Sequence, residues 1–184
     1  MAETERRRAF IFDVDGTVAD LNSDVPYPHV VEWFKENYNQ RDLFAFASNQ
    51  GLVGYCVHKG ADNRFPPTTE QMVIDRMIKL SVSLTGKPDG IMVRVAYNLP
   101  LHEGGWAVPY TTDMDIEWDP YWRKPMPGMI YSILRAADIA PIDAIIVGDR
   151  ETDLVAGKTA GTRAMYAKYF FGLEGPSDGG EGRE

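Results

Sequence analysis

Apolar and polar positions along the chain fall into blocks that switch between two periods. The apolar runs AFIF (9–12), LFAFA (43–47), IMVRVA (91–96) and AIIV (144–147) read as strands, and RAMYA (163–167) as a weaker fifth. Runs that are apolar on both faces suit a parallel sheet covered on both sides. Between them the spacing becomes helical. Val30, Phe34 and Tyr38 recur every fourth residue. Val73, Met77, Leu80 and Leu84 form a second stripe, preceded by Thr68-Thr69-Glu70-Gln71, which has the form of a capping box. Ile130, Ile133, Leu134 and Ala137 form a third, and Thr152 to Thr159 reads as a short helix with Gly161 placed to end it. Strands alternating with helices predict an α/β fold, a Rossmann-like three-layer sandwich on a mostly parallel five-stranded sheet.

Composition narrows the class. The chain has 184 residues, 44% of them hydrophobic and 25% charged, which predicts one soluble globular domain. That domain is expected over 1–171. The polar, glycine-rich stretch GLEGPSDGGEGRE (172–184) has no periodicity and is expected to be a disordered tail. The single cysteine, Cys56, excludes an internal disulfide and a multi-cysteine zinc site, and fits a reducing compartment. The opening MAETERRRAF is not followed by a signal-length apolar stretch, and no window reaches the roughly 20 apolar residues of a membrane span. A cytoplasmic monomer without membrane contact is expected. The net charge of −8 disfavours broad binding to nucleic acid, which relies on Lys and Arg against phosphate.

Ligands of open α/β sheets bind beyond the carboxyl ends of the strands. There the chain places Asp13, Asp15, Gly16 and Thr17 after the first strand and Ser48-Asn49-Gln50-Gly51 after the second. Gly148-Asp149-Arg150 follows the fourth, with Asp153 close behind, and Arg123-Lys124-Pro125 stands before the third helix. Carboxylates gathered at one edge repel each other, and a hard cation such as Mg²⁺ relieves this. Asp13, Asp149 and Asp153 are candidates to hold it, although Asp153 could instead be an acid placed by the helix dipole. With a metal and Lys124 neutralising a phosphoryl group, a carboxylate can attack phosphorus. Asp13, first beyond its strand, is the natural nucleophile. Asp15 shares its face in an extended chain and lies near a like charge, which favours the protonated form needed of a general acid/base. Gly16 lets the backbone turn near the phosphate. Ser48 can hydrogen-bond a phosphoryl oxygen, and the hydroxyl of Thr17 stands at the same edge. Asn49 either touches substrate or orients its loop, and Arg123 either binds substrate or solvates its loop.

This set resembles the haloacid dehalogenase (HAD) superfamily of phosphohydrolases. The resemblance runs in order through FDVDGTV (12–18), SNQG (48–51), RKPMPGM (123–129) and GDRETD (148–153), and spans most of the chain. SNQG and RKPMPGM look most like the subgroup of histidinol-phosphate, heptose-bisphosphate and polynucleotide 3′-phosphatases. The resemblance implies sheet order 5-4-1-2-3, with the strands bearing Asp13 and Asp149 adjacent. It implies Mg²⁺ contacts from Asp13, the backbone carbonyl of Asp15, and Asp149, and phosphate contacts from Ser48 and Lys124. Zinc-binding members carry a loop of cysteines with a histidine before the lysine motif. Here Tyr97 to Trp122 has no cysteine and one histidine, His102, so no zinc is expected. Asp13 to Ser48 is filled by one helix and a strand, and Ser48 to Lys124 by a helix, a strand and the 97–122 loop, so the protein is expected to be capless. That loop, with Trp106, Tyr110, Trp118, Tyr121 and Trp122 among five acids, is the expected specificity element, more a self-packed lid than a stacking platform.

The reading is a Mg²⁺-dependent phosphomonoesterase acting on a small phosphorylated metabolite. The nearest alternative is a polynucleotide 3′-phosphatase, acting on a nucleic acid 3′-phosphate end. An alternative of another class is a non-enzymatic phospho-aspartate receiver, but receivers place their lysine last, whereas here it precedes the final acids. A phosphatase-derived binding protein without turnover has no positive support in the sequence.

Overall fold

Strand β1 (Ala9–Phe12) has apolar side chains on both faces, and it lies at the centre of the sheet. The computed structural model describes residues 6–60, 65–109 and 114–173. On one side of β1 come β2 (Leu43–Asn49) and then β3 (Met92–Ala96). On the other come β6 (Ala144–Gly148) and then β7 (Arg163–Tyr166). Every neighbouring pair is parallel. Counted as five core strands in chain order, this is the expected 5-4-1-2-3 arrangement, with an all-parallel rather than mostly parallel sheet.

Alternation along each strand divides the core in two. Phe12, Phe44 and Phe46 point to one face, where they meet Val30 and Phe34 of α1 (Pro28–Asn37) and Met77 and Leu80 of α3 (Glu70–Thr85). Ile11, Ala45 and Ile146 point to the other, against Ile130 and Ile133 of α4 (Gly128–Ala137) and Ala156 of α5 (Glu151–Thr159). The result is the three-layer sandwich.

Register then positions the site. Phe12 pairs with Phe46 on one side and Val147 on the other. Asp13 directly follows Phe12, and Ser48 and Asp149 stand two residues beyond Phe46 and Val147, so the three lie at one edge of the sheet. The Asp13 N–H donates to Val147 O at 2.8 Å, holding the first of them at the strand end.

Helix α2 (Gly51–Lys59) is an element the periodicity did not predict. Its Gly54 N–H donates to Tyr97 O at 3.0 Å. A Cβ on Gly54 would lie 2.5 Å from that oxygen, so the glycine permits close packing. The 97–122 stretch contains a small antiparallel pair, β4 (Leu99–Pro100) and β5 (Trp106–Ala107), and two 3-10 turns, Ile116–Trp118 and Pro120–Trp122. Two of its tryptophans belong to the core. Buried Trp118 donates from Nε1 to Glu70 at 3.0 Å, and buried Trp122 donates to Val95 O at 2.8 Å. Trp106 and Tyr121 are exposed, and Tyr110 lies outside the described residues. A short helix, α6 (Ala167–Phe170), closes the fold, and the expected tail lies outside the described residues from 174 onward. Among the described residues no further domain interrupts these connections, and no helix is long and apolar enough to cross a membrane.

Candidate active site

Lys124 is only 2% exposed, and its Nζ lies 2.6 Å from Asp13 Oδ1 and 2.5 Å from Asp153 Oδ1. One ammonium thus joins the end of β1 to the start of α5. Asn49, at the end of β2, holds the lysine's own backbone: its Nδ2 donates to Lys124 O at 2.9 Å and its Oδ1 accepts from Lys124 N at 3.0 Å. Of the two readings open for Asn49, this is the orienting one. The Lys124–Pro125 peptide is cis.

Asp153 serves two partners. While Oδ1 meets Lys124, Oδ2 accepts from the Arg150 N–H at 3.0 Å, as an acid in the first turn of α5 should. Carboxylate oxygens of Asp13, Asp149 and Asp153 lie within 4.8 Å of one another. An all-oxygen, multiply anionic set of this kind suits a hard divalent cation such as Mg²⁺. Gly16 permits the approach of Asp149. Its φ is +85°, and a Cβ there would come within 2.5 Å of the Asp149 carboxylate.

Burial sets the electrostatics. It pushes the Asp13 carboxyl up to about 7, with Asp153 and Asp149 adding to the effect and Lys124 opposing it. Burial also works against the Lys124 charge, but Asp13 and Asp153 outweigh it and hold the ammonium above its ordinary range. Asp149 is raised by burial and by Asp153 beside it. Arg123, drawn down to about 10 by burial and by Arg150, stays cationic at neutral pH; its Nη1 donates to Asn98 O at 2.7 Å.

Asp13, Asp15, Asn49, Arg123, Lys124 and Asp153 line one cleft of about 110 Å³, joined by Leu21, Arg150 and Thr152. Thr17 and Ser48 do not line it. Both are buried; the Thr17 Oγ1 has no hydrogen-bond partner among the described residues, and Ser48 Oγ accepts from Gln50 Nε2 at 2.8 Å. Asp15 has partners that sequence reasoning missed. Arg76 Nη2 lies 2.7 Å from Asp15 Oδ1, and Gln50 Nε2 donates to Oδ2 at 2.7 Å. A signal for Arg76 was present: one turn of helix after Val73, it puts a charge on the apolar stripe of α3. It also donates to Ser23 O and Asp20 O, at 2.7 and 3.1 Å, so it ties the turn after Asp15 to the helix.

Known proteins resemble this chain. A HAD-hydrolase-like family model matches residues 121–168, the stretch that carries Lys124, Asp149 and Asp153. Over 169 residues the chain is 30% identical to the D-glycero-β-D-manno-heptose-1,7-bisphosphate 7-phosphatase of Pasteurella multocida, covering 84% of this chain and 77% of that protein. The chain belongs to the HAD phosphatases. Solved structures show the fold again. A HAD-like phosphatase from Mesorhizobium loti superposes with a TM-score of 0.60 at 20% identity, covering 85% of this chain and 69% of that one. The D,D-heptose 1,7-bisphosphate phosphatase from B. bronchiseptica, complexed with magnesium and phosphate, gives 0.57 at 21% identity, covering 94% and 89%. This chain is accordingly an enzyme of the HAD phosphatase type, with its acids and lysine gathered at the carboxyl edge of the sheet.

Proposed function

We propose that this phosphatase is Mg²⁺-dependent and hydrolyses a small phosphorylated metabolite through an aspartyl-phosphate on Asp13. The observation that carries the reading is the buried Lys124 ammonium at 2.6 Å from Asp13, inside a cleft that also holds Asp15. Asp13 is within reach of a phosphoryl group in that cleft, and Lys124 both favours its ionised form and offsets charge on the phosphoryl oxygens. Bound at Asp13, Asp149 and Asp153, with the backbone carbonyl of Asp15, Mg²⁺ would supply further positive charge against those oxygens.

In the first step an Asp13 oxygen bonds to phosphorus, the bond from phosphorus to the leaving oxygen breaks, and Asp15 gives that oxygen its proton. In the second, Asp15 takes a proton from water as the water oxygen attacks phosphorus. The Asp13–phosphorus bond breaks, and inorganic phosphate leaves. Arg123 remains charged at the cleft wall, available to a phosphoryl oxygen. Ser48, buried and accepting from Gln50, supports its loop instead.

A metabolite is favoured over a polynucleotide 3′-phosphate end by the net charge of −8 and by Trp118 and Trp122, which are committed to the core and not free to stack on bases. The heptose-bisphosphate phosphatase relative makes sugar phosphates the substrates to try first. The test is acid-quenched turnover with Mg²⁺ and a sugar bisphosphate, followed by peptide mapping. A phosphoryl group on the peptide bearing Asp13 is expected. A phosphoryl group on another residue overturns the assignment.

A further inference from the structure

Asp15 stands beyond the end of β1, on a turn where Gly16 takes a φ of +85°. Three cations, Arg123, Lys124 and Arg150, line the same cleft and offer its carboxylate competing partners. A proton carrier works only within hydrogen-bond reach of the oxygen it serves, so this side chain has to be fixed. Two side chains grip it. From α3, Arg76 Nη2 meets Oδ1 at 2.7 Å; from just before α2, Gln50 Nε2 donates to Oδ2 at 2.7 Å. The Asn22 N–H approaches Oδ1 at 3.4 Å. Both grips are themselves held: Arg76 Nε donates to Ser23 O at 2.7 Å, and Gln50 Nε2 also to Ser48 Oγ at 2.8 Å. A carboxylate has about four acceptor positions. The two short bonds take one on each oxygen and leave room for the proton that the reaction moves.

We propose that Arg76 is the positioning residue of the acid/base, with Gln50 as its counterpart on the other oxygen. Together they aim Asp15 first at the leaving oxygen and then at the attacking water. The inference rests on the phosphatase reading with Asp15 as acid/base. Stability alone does not account for Arg76. It is buried in the stripe of α3 formed by Val73, Met77 and Leu80. A buried ion pair is often no more stabilising than apolar side chains of similar volume. Its Nη1 is also buried without a partner among the described residues, an added cost. Nor is Arg76 needed merely to tie α3 to the turn after Asp15. Lys79, three residues on, makes that tie by pairing with Asp24 at 2.9 Å. What Arg76 adds is the contact with Asp15.

Arg76→Met removes the donors and keeps an apolar stem. Lys79→Met is the control, because it loosens the same turn from the same helix. The probes are fructose 1,6-bisphosphate, whose leaving alkoxide needs a proton, and acetyl phosphate, whose leaving acetate does not. With Mg²⁺, Arg76→Met should lower kcat/KM for the bisphosphate about 10²-fold, through kcat and not KM. It should leave kcat/KM for acetyl phosphate within about threefold of wild type. Saturating acetyl phosphate should then load Asp13 of the variant with phosphoryl groups, since transfer outruns the hydrolysis that Asp15 assists. Acid quench and peptide mapping measure that load. Gln50→Leu should give the same pattern more weakly, and it carries the test if Arg76→Met does not fold. Lys79→Met should match wild type. The proposal is overturned if Arg76→Met lowers kcat/KM for both substrates equally or for neither, if its loss lies in KM, or if Lys79→Met reproduces the pattern. If wild type cleaves acetyl phosphate alone, the trapped phosphoryl group decides, and its absence from the variant overturns the proposal. Failure of wild type to cleave either substrate sinks the function reading itself, and the positioning role with it.

Discussion

Lys124 is the residue on which the site turns. Its ammonium is the cation that meets both buried Asp13 and buried Asp153. Lys124→Ala leaves two buried carboxylates without their cation, and breaking a buried pair in this way costs about 3–5 kcal/mol. Denaturant unfolding of the metal-free variant should show that loss. Its kcat should fall about 10²–10³-fold, because a positive charge aimed at the transferring phosphoryl group is gone. At this scale the sequence was informative where a residue's position alone places it. Asp13, Asp15 and Asp149 follow strand ends, and strand ends of a parallel sheet share an edge. It was not informative about which way the backbone turns next. Thr17 and Ser48 were expected beside the substrate, yet both are buried and neither lines the small cleft. The partners of Asp15 were equally hidden, since Arg76 reaches it from a helix far along the chain.

Among the elements, β1 and β2 are tied at their starts by Asp42. Its buried carboxylate accepts from the Arg8 backbone N–H at 3.0 Å and from Arg8 Nη2 at 2.7 Å, just before Ala9 pairs with Leu43. Burial works against the charge, but the bonds from Arg8 and Asn39 outweigh it and hold the carboxyl below its usual range. A carboxyl lowered in the folded state contributes stability above its unfolded value of about 3.9 and loses it as pH falls through the folded value. Asp42→Asn should therefore cost about 1.5–3 kcal/mol at pH 7, toward the lower end because Arg8 is half exposed. The gap between variant and wild type should close in acid. Thermal melts from pH 7 down to pH 3 measure it. The strands were readable because a short, continuous apolar run bounded by polar turns fits a strand buried on both faces. Helix α2 was not, because Gly51 and Gly54 carry no side chain that could mark an apolar stripe. Their reason, close approach of Gly54 to Tyr97, is a tertiary contact that no local pattern carries. The 97–122 stretch was expected to be a specificity loop. Trp118 and Trp122 fasten it to Glu70 and Val95 by their indole N–H groups, contacts that no local pattern carries.

For the whole molecule, the two cores hold the sheet rigidly between helices and leave the acids at one edge without a full set of cations. Asp13, Asp149 and Asp153 are all anionic candidates, with Lys124 between two of them. A cation that binds the folded state and not the unfolded chain raises stability, by about 2.7 kcal/mol at 100 times its dissociation constant. Chelator-treated protein should melt at a higher temperature when Mg²⁺ is restored. Asp149→Asn should fold and lose most of that rise, whereas Asp42→Asn should keep it. An equal rise in the Asp149 variant would place the metal elsewhere.

The central claim is that Asp13 is the nucleophile. The most direct measurement is phosphate release by wild type and Asp13→Asn, side by side, with Mg²⁺ and both acetyl phosphate and a sugar bisphosphate. The account predicts a loss of at least about 10³-fold in the variant on both substrates, with its circular dichroism unchanged. A variant that turns over within about tenfold of wild type would contradict an aspartyl-phosphate on Asp13.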